Sequence, residues 1–299
     1  MTDTEYFSNK FYKNKENILI LNEKDEYSEN FGKQWKKYKI VQVDSYNNFS
    51  ISKSFLEKII FNKLNYLTDK TVLEIGCGSG RFTEYIVQYA KHCVSIDMSE
   101  AIFFNVAKNS KNLTLVKADF TKLISNKKFD IIICRGMLQH TPKPLYSLLK
   151  LYDFLNNNGI VYFDIYLLPK IGYLHPKYLF WRPIIKNLVS YDKTENFITN
   201  NIKILLKIKR FIKLIFFNSD FFSDAIIPIW DYKNKINLND NQLEIWSILD
   251  TMDGLYAHYD YPQRKKRIEK VLNKNKITIT KYNSKLNCFE TKKAISYNL

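Results

Sequence analysis

Glu74, Gly76, Gly78 and Gly80 stand in the run Val72-Leu73-Glu74-Ile75-Gly76-Cys77-Gly78-Ser79-Gly80-Arg81. The apolar residues before the glycines read as a strand, and Phe82 to Ala90 reads as a helix. Glycines at such a turn let the backbone approach a ligand at the helix N-terminus, where free N–H groups face outward. The spacing is G-x-G-x-G, which departs from the G-x-G-x-x-G of nicotinamide and flavin sites. No Gly-Lys-Ser/Thr follows, so a phosphate loop of that kind is excluded. Asp97 ends the second strand, 21 residues after Gly76. A carboxylate there can accept both ribose hydroxyls of a nucleoside. Asp119-Phe120 closes the third strand, where an Asp can hold an adenine amino group and a Phe can pack on the ring. Any one of these acids would equally serve as a solvated strand end or a helix N-cap. Three in register at successive strand ends point to a nucleoside.

The elements that must position these residues alternate. Ser54 to Tyr66 has the spacing of an amphipathic helix. Thr71–Ile75, Cys93–Ile96, Leu113–Lys117, Phe129–Cys134 and Ile160–Leu168 read as strands. Phe129–Cys134 is an unbroken apolar run, as expected of a strand buried on both faces. Ser99 is placed to cap a helix running to about Lys108, and Leu145 to Leu155 reads as a helix stopped by Asn and Gly159. Strand and helix alternating at this spacing mean βαβ units and a parallel sheet. The alternation breaks from 167 to about 260, a Tyr/Phe/Trp- and Lys-rich stretch of helical character. A helix over Gln263–Asn273 and a hairpin of Ile277–Tyr282 and Leu286–Thr291 complete the chain.

Taken together, E-x-G-C-G-x-G, V-S-I-D-M-S, K-A-D-F and F-D-I-I-I-C-R-G-M-L-Q-H-T-P resemble motifs I to post-IV of the class I S-adenosylmethionine (SAM)-dependent methyltransferases. The resemblance covers about residues 54–166 and is nearest to the broad type 11/12 group, in which a helix-rich insertion after the fifth strand covers the substrate. F-G-K-Q-W at 31–35 and L-D-T-M-D-G-L-Y-A-H-Y-D-Y-P at 249–262 also resemble parts of a bacterial subgroup often seen beside surface-glycan genes. The resemblance implies an α/β fold: a Rossmann-like seven-stranded sheet with helices on both faces and a helical lid. Residues 1–53 would be an extension packing near the cofactor site, 54–166 the SAM-binding core, 167–260 the lid, and 261–299 a helix and hairpin completing the sheet.

The resemblance also implies roles. Gly76, Cys77, Gly78 and Gly80 would pass close to the methionine moiety of SAM, and Glu74 would fix the loop or reach its amino group. Arg81 would meet the carboxylate, or is an ordinary surface Arg. Asp97 would hold the ribose with Met98 packing on adenine, and Asp119 and Phe120 would read the adenine edge. Arg135, Gly136 and Met137 would sit near the sulfonium, with Gln139, also taken as cofactor-binding, just after them. Methyl transfer is an in-line displacement in which the cofactor carries the reactivity and the protein aligns the acceptor. A hydroxyl acceptor gains from a general base. His140 and His258 are the candidates, each with a structural alternative: loop support for His140, aromatic packing for His258. No His/Cys/Asp cluster has metal-ligand spacing, so no metal is expected.

The expected reaction is methyl transfer to a hydroxyl of a small-molecule, glycan or glycan-precursor acceptor. The alternative is a lipid or quinone head group at the membrane surface. RNA methylation or nucleic-acid binding ranks last, since Arg135-Gly136-Met137-Leu138 stands where an Asn-Pro-Pro-Tyr-like motif would be. The chain of 299 residues carries 46 Lys+Arg against 30 Asp+Glu, a formal charge of +16. The bias is to Lys over Arg, alongside abundant Asn, so compositional drift explains part of it. The rest is concentrated: from Pro169 to Phe222 ten bases face three acids. Ile202–Phe217 puts Ile204, Leu205, Ile208, Phe211, Ile212 and Ile215 on one stripe and Lys203, Lys207, Arg210 and Lys213 on another. That segment is either a lid over the substrate or a peripheral contact with an anionic membrane. Four sparse cysteines, no apolar leader and no spanning stretch imply a cytoplasmic protein.

Overall fold

The computed structural model describes residues 5–21, 37–38, 41–47, 49–61, 64–217 and 219–293; the F-G-K-Q-W run lies outside them. The chain divides into two units, 1–167 with 259–299, and 168–258.

The first unit is built on one sheet in the order β1-β2-β5-β4-β3-β6-β7-β9-β8. Its five central strands are parallel: β3 (Thr71–Ile75), β4 (His92–Asp97), β5 (Leu113–Lys117), β6 (Phe129–Cys134) and β7 (Leu155–Asp164). The hairpin β8 (Ile277–Asn283) and β9 (Cys288–Lys293) joins antiparallel through β9. These are the seven expected strands. Two more come from the N-terminal segment, where β1 (Phe11–Lys13) and β2 (Leu19–Leu21) form a hairpin whose second strand pairs parallel with β5. The order reverses at β3, with β4 and β5 on one side and β6 and β7 on the other. That is the point at which open α/β sheets leave a crevice at the strand C-termini.

Side-chain alternation sends β3 into two cores. Leu73 and Ile75 join Val94, Ile96, Ile132, Val161 and Phe289 on one face, closed by Leu148, Ile268 and Leu272 from α4 (Pro144–Lys150) and α9 (Lys265–Lys274). Val72 joins Ile131, Ile133 and Tyr162 on the other, under α2 (Ile51–Ile59) and α3 (Thr83–Tyr89). Ahead of α2 lies the single turn α1 (Asp44–Asn47). Asp44 accepts the N–H groups of Ser52 and Lys53 at 2.9 Å each, so it caps the start of α2.

Several boundaries differ from the expected ones. The first helix starts at Ile51 and stops at Ile59, and Leu64–Leu67 is a separate 3-10 turn. Ser99 does cap, accepting from Ala101 N, but the element it caps is a 3-10 turn over Glu100–Phe104 and not a helix to Lys108. Strand β7 begins at Leu155, not Ile160, and ends at Asp164, not Leu168. Its register with β6 jumps from Phe129↔Leu155 to Ile131↔Ile160, which puts Asn156–Gly159 in a bulge pinned by Asn156 Nδ2 donating to Asp130 Oδ1 at 2.8 Å.

The second unit is helical. A π-helical turn (Lys177–Trp181) runs into α5 (Arg182–Leu188), followed by α6 (Tyr191–Ile215), α7 (Asp220–Ile226) and α8 (Asp240–Tyr256). Ser190 caps α6, and Asn239 with Gln242 forms a capping box on α8. The expected apolar stripe of α6 is not its buried face: Ile198, Ile202, Leu206 and Lys209 are buried, whereas Ile204, Ile208, Phe211 and Ile215 are exposed. Lys209 sets the rotation. Its ammonium donates to Asp224 and to the carbonyls of Ile227 and Ile229, so its side of the helix turns inward.

Candidate cofactor site

The glycine loop joins β3 to α3 at the switch point. Gly76, Gly78 and Gly80 have φ of +80°, +52° and +91°, where side chains bearing a Cβ are strained. A Cβ on Gly76 would lie 3.0 Å from Met137 Cβ, so this loop packs against the one after β6. A Cβ on Gly80 would stand 2.5 Å from Asn105 Oδ1, so a side chain there is excluded by space as well as by φ. Gly78 is different: no heavy atom lies within 4 Å of where its Cβ would be, and Gly136 (φ +65°) also faces open space. Those two positions give a ligand room to touch backbone.

The loop does not offer the row of free N–H groups that its glycines suggest. Gly76 N and Cys77 N both donate to Ile96 O, at 2.8 and 3.2 Å. Gly78 N donates to Asp97 Oδ2 at 2.7 Å, and Gly80 N to Cys77 O at 2.9 Å. With the N–H groups of Gly76, Cys77, Gly78 and Gly80 spent internally, the loop suits a ligand that asks for close backbone approach. The Cys77 side chain packs into the Ile18, Ile20, Ile102 and Leu115 cluster, away from any ligand, and burial pushes its thiol pKa far up.

Glu74 shares a sheet face with Ser95, its register partner on β4. Its Oε2 accepts from Ser95 Oγ at 2.7 Å and from Thr83 Oγ1 at 2.6 Å. Oε1 is buried with no partner. Burial pushes this carboxyl up to about 7, against the pull of the two hydroxyls, with Asp97 adding to the rise. Asp97 Oδ1 takes Ser99 N and Oγ, at 2.8 and 2.7 Å. With Gly78 N on Oδ2, three of its roughly four acceptor sites are filled and one is left for a hydroxyl. Met98 is half-buried beside it.

Phe120 is placed otherwise than expected, whereas Asp119 sits at the end of β5 as expected. Asp119 Oδ1 accepts from Thr121 N and Oγ1, at 2.9 and 2.7 Å, and caps the adjoining 3-10 turn. The Phe120 ring is 1% exposed in the main core, among Phe7, Val116 and Leu123, and has no face to offer an adenine. Arg81 is engaged as well: Nε donates to Ser52 Oγ at 2.9 Å and Nη1 to Gln42 Oε1 at 2.8 Å. Its guanidinium lies 5.3 Å from the Phe55 ring, on which Arg135 also sits at 5.6 Å. Arg135 pairs with Asp164 at 2.8 Å, and Asp164 Oδ1 accepts from Gly136 N at 2.5 Å.

The loop after β6 ends in a 3-10 turn, Leu138–His140. Gln139 is fully buried, and neither atom of its side-chain amide has a partner. His140 Nδ1 lies 2.9 Å from Tyr259 O. A carbonyl only accepts, so Nδ1 carries the proton and Nε2 holds the lone pair of the neutral ring. Tyr166 meets the ring edge-on at 5.7 Å. Tyr261 N donates to Gln139 O, and Gln263 N to Tyr166 O, so the segment that re-enters the core from the helical unit is tied to this loop. His258 belongs to the helical unit, where its side chain is exposed. Its pKa is lowered by burial and by Lys186 and Arg182. The geometry thus sets Glu74, Gly76, Gly78, Asp97 and Gly136 at the strand ends and turns of the switch point, buries Gln139 in the turn after β6, and leaves Cys77 and Phe120 facing the core. Sequence reasoning missed Asp164, which clamps the Arg135–Gly136 turn, and Asn105, which donates to Thr83 Oγ1 at 3.1 Å beneath the loop. Asp164 had a signal: it ends β7 as Asp97 ends β4. No group of His, Cys, Asp and Glu among the described residues could hold a metal ion.

A parallel sheet with its glycine turn, buried acid and ribose-side carboxylate at the switch point defines a nucleoside-cofactor domain of the class I methyltransferase type. Residues 73–163 match the family model described as a methyltransferase domain; that stretch is a SAM-dependent methyltransferase domain, with SAM its cofactor. Among curated proteins, the chain is similar to the ubiquinone biosynthesis O-methyltransferase of Histophilus somni (strain 2336), 30% identical over 116 residues, 35% of this chain and 48% of that protein. It is similar to the same-named protein of Pasteurella multocida (strain Pm70), 29% identical over 120 residues, 35% of this chain and 50% of that one. The chain thus spans about half the length of the curated relatives it matches. Among solved structures, magnesium protoporphyrin IX methyltransferase from Synechocystis PCC 6803 with bound SAH aligns over 81% of this chain and 83% of that one, at 13% identity and a TM-score of 0.44.

Proposed function

We propose that the chain transfers a methyl group from SAM to a hydroxyl oxygen of a small-molecule, glycan or glycan-precursor acceptor. The observation that carries this is the buried, unpartnered polar groups Glu74 Oε1 on β3 and the Gln139 amide after β6, together with the open backbone at Gly78 and Gly136. Buried polar groups are normally satisfied, so such unpartnered atoms are where a polar ligand would be met. Bound SAM supplies an electrophilic methyl on a cationic sulfonium. The chain's own residues then hold and align. Glu74 Oε1 is suited to accept from an ammonium, Asp97 from a ribose hydroxyl, and Gln139 to hydrogen-bond through either end. Asp164 holds the Arg135–Gly136 turn, and Arg81 ties the helix start to Gln42 and Ser52. His140, with its lone pair on Nε2, is the base we assign to the acceptor hydroxyl. His258, exposed and with its pKa lowered by desolvation and by Lys186 and Arg182, is the weaker candidate.

A second reading is methylation of a lipid or quinone head group. The names of the curated relatives and the exposed apolar face of α6 favour it. The first experiment is titration calorimetry with SAM and with NADH. SAM should bind and NADH should not; absent SAM binding, or tighter NADH binding, overturns the proposal. Methyl-labelled SAM offered with glycan, glycan-precursor and quinol acceptors then separates the two readings by which product takes the label.

A further inference from the structure

Helix α6 carries Phe197, Ile204, Ile208, Phe211 and Ile215 at spacings of seven, four, three and four residues. At about 100° per residue these share one face. All five are exposed, at 60%, 56%, 41%, 63% and 54%, and Phe217 beyond the helix end is 98% exposed. The helix packs on α7 and α8 through another face, that of Ile198, Ile202, Leu206 and Lys209. A contiguous apolar stripe in water marks an interaction surface.

Charge identifies the partner. From Asn196 to Ile215 the helix has five bases and no acid. Three are engaged within the unit: Lys209 with Asp224, Arg210 with Asp231 through two bonds of 2.7 and 2.8 Å, and Lys213 with Asp220. Lys203 and Lys207 are exposed, four residues apart, and border the stripe next to Ile204 and Ile208. A second copy of this helix would bring one exposed acid, Asp192, against three exposed lysines, Lys193, Lys203 and Lys207. A sheet of anionic head groups over acyl chains matches both features, since apolar side chains enter the acyl boundary while lysines stay at the phosphates. We propose that this face of α6 docks the protein on an anionic bilayer. The inference rests on the helical unit alone and stands whether or not the chain transfers a methyl group.

The test is flotation of the full chain with vesicles of phosphatidylcholine alone or mixed with phosphatidylglycerol. Binding is expected only to the mixed vesicles, and should weaken between about 0.1 M and about 1 M salt as the Debye length falls from about 10 to about 3 Å. Lys203→Gln with Lys207→Gln should weaken binding by about tenfold or more. Ile204→Asn with Phe211→Ser should abolish it, with circular dichroism unchanged because both positions are exposed. No binding to the mixed vesicles, or equal binding by both variants, overturns the proposal. So does a wild-type dimer in sedimentation equilibrium that Ile204→Asn with Phe211→Ser makes monomeric and that ignores vesicles; that result assigns the stripe to a second copy.

Discussion

Glu74 sets a pH dependence that belongs to one residue. Its folded-state pKa, pushed up to about 7 by burial, lies above the ordinary 4.5. The folded chain therefore binds the proton more tightly than the unfolded one. The resulting stability is fully present below about pH 4.5 and is lost as pH rises through about 7. Against Glu74→Gln, which has no such titration, wild type should lose up to about 3 kcal/mol between pH 4.5 and pH 8 in denaturant titrations. SAM should flatten the difference, because a cation beside Oε1 favours the ionised form. A pH-independent difference between the two proteins would refute this. Glu74, the glycines and Asp97 were legible because the chemistry depends on residue type at a strand end. Phe120 was not, since a ring just past a strand can turn to the ligand or to the core, and tertiary packing decides; here Phe7 and Leu123 draw it inward. The loop's spent donors were illegible for a similar reason: the acceptors, Ile96 O and Asp97, arrive from another strand.

At the scale of elements, apolar runs such as Phe129–Cys134 marked β3 to β6 to within a residue, because a strand buried on both faces has no polar side to blur it, whereas β7 was missed by several residues at each end. The N-terminal strands were missed since each has only three residues, too few to establish a period. The rotation of α6 ran against its sequence pattern. The helix carries apolar residues on more than one face, so periodicity alone does not say which is buried. The contacts of Lys209 do. Lys209→Met should cost about 2–4 kcal/mol, because it leaves Asp224 and two carbonyls without their buried donor. Lys203→Met, at an exposed position of the same helix, should change stability by less than about 0.5 kcal/mol. Thermal melts followed by circular dichroism measure both, and equal effects would sink the assigned rotation.

The whole molecule consists of two units, and only one contains the glycine loop. The helical unit has buried residues of its own, among them Ile202, Leu206, Trp246 and Met252. Calorimetry should therefore resolve two unfolding transitions, with SAM lifting only that of the unit formed by 1–167 and 259–299. At about a hundred times its Kd the ligand adds about 2.7 kcal/mol, or roughly 5–10 °C for a unit of this size. A single transition raised as a whole would count against separate unfolding. The charge of +16 resolves at this scale too. The glycines and acids of the cofactor loop use none of it, and of the six bases on α6 three, Lys193, Lys203 and Lys207, are exposed. The N-terminal edge of the sheet matters beyond catalysis. The short hairpin β1–β2 pairs with β5 at Leu19↔Val116 and Ile20↔Lys117. Without it, β5 would present a bare row of backbone donors and acceptors, a template for fibre-like growth between molecules. Residues 11–21 thus guard solubility, and damage to them would show first as turbidity in a warm sample, while the cofactor loop on β3 was still intact.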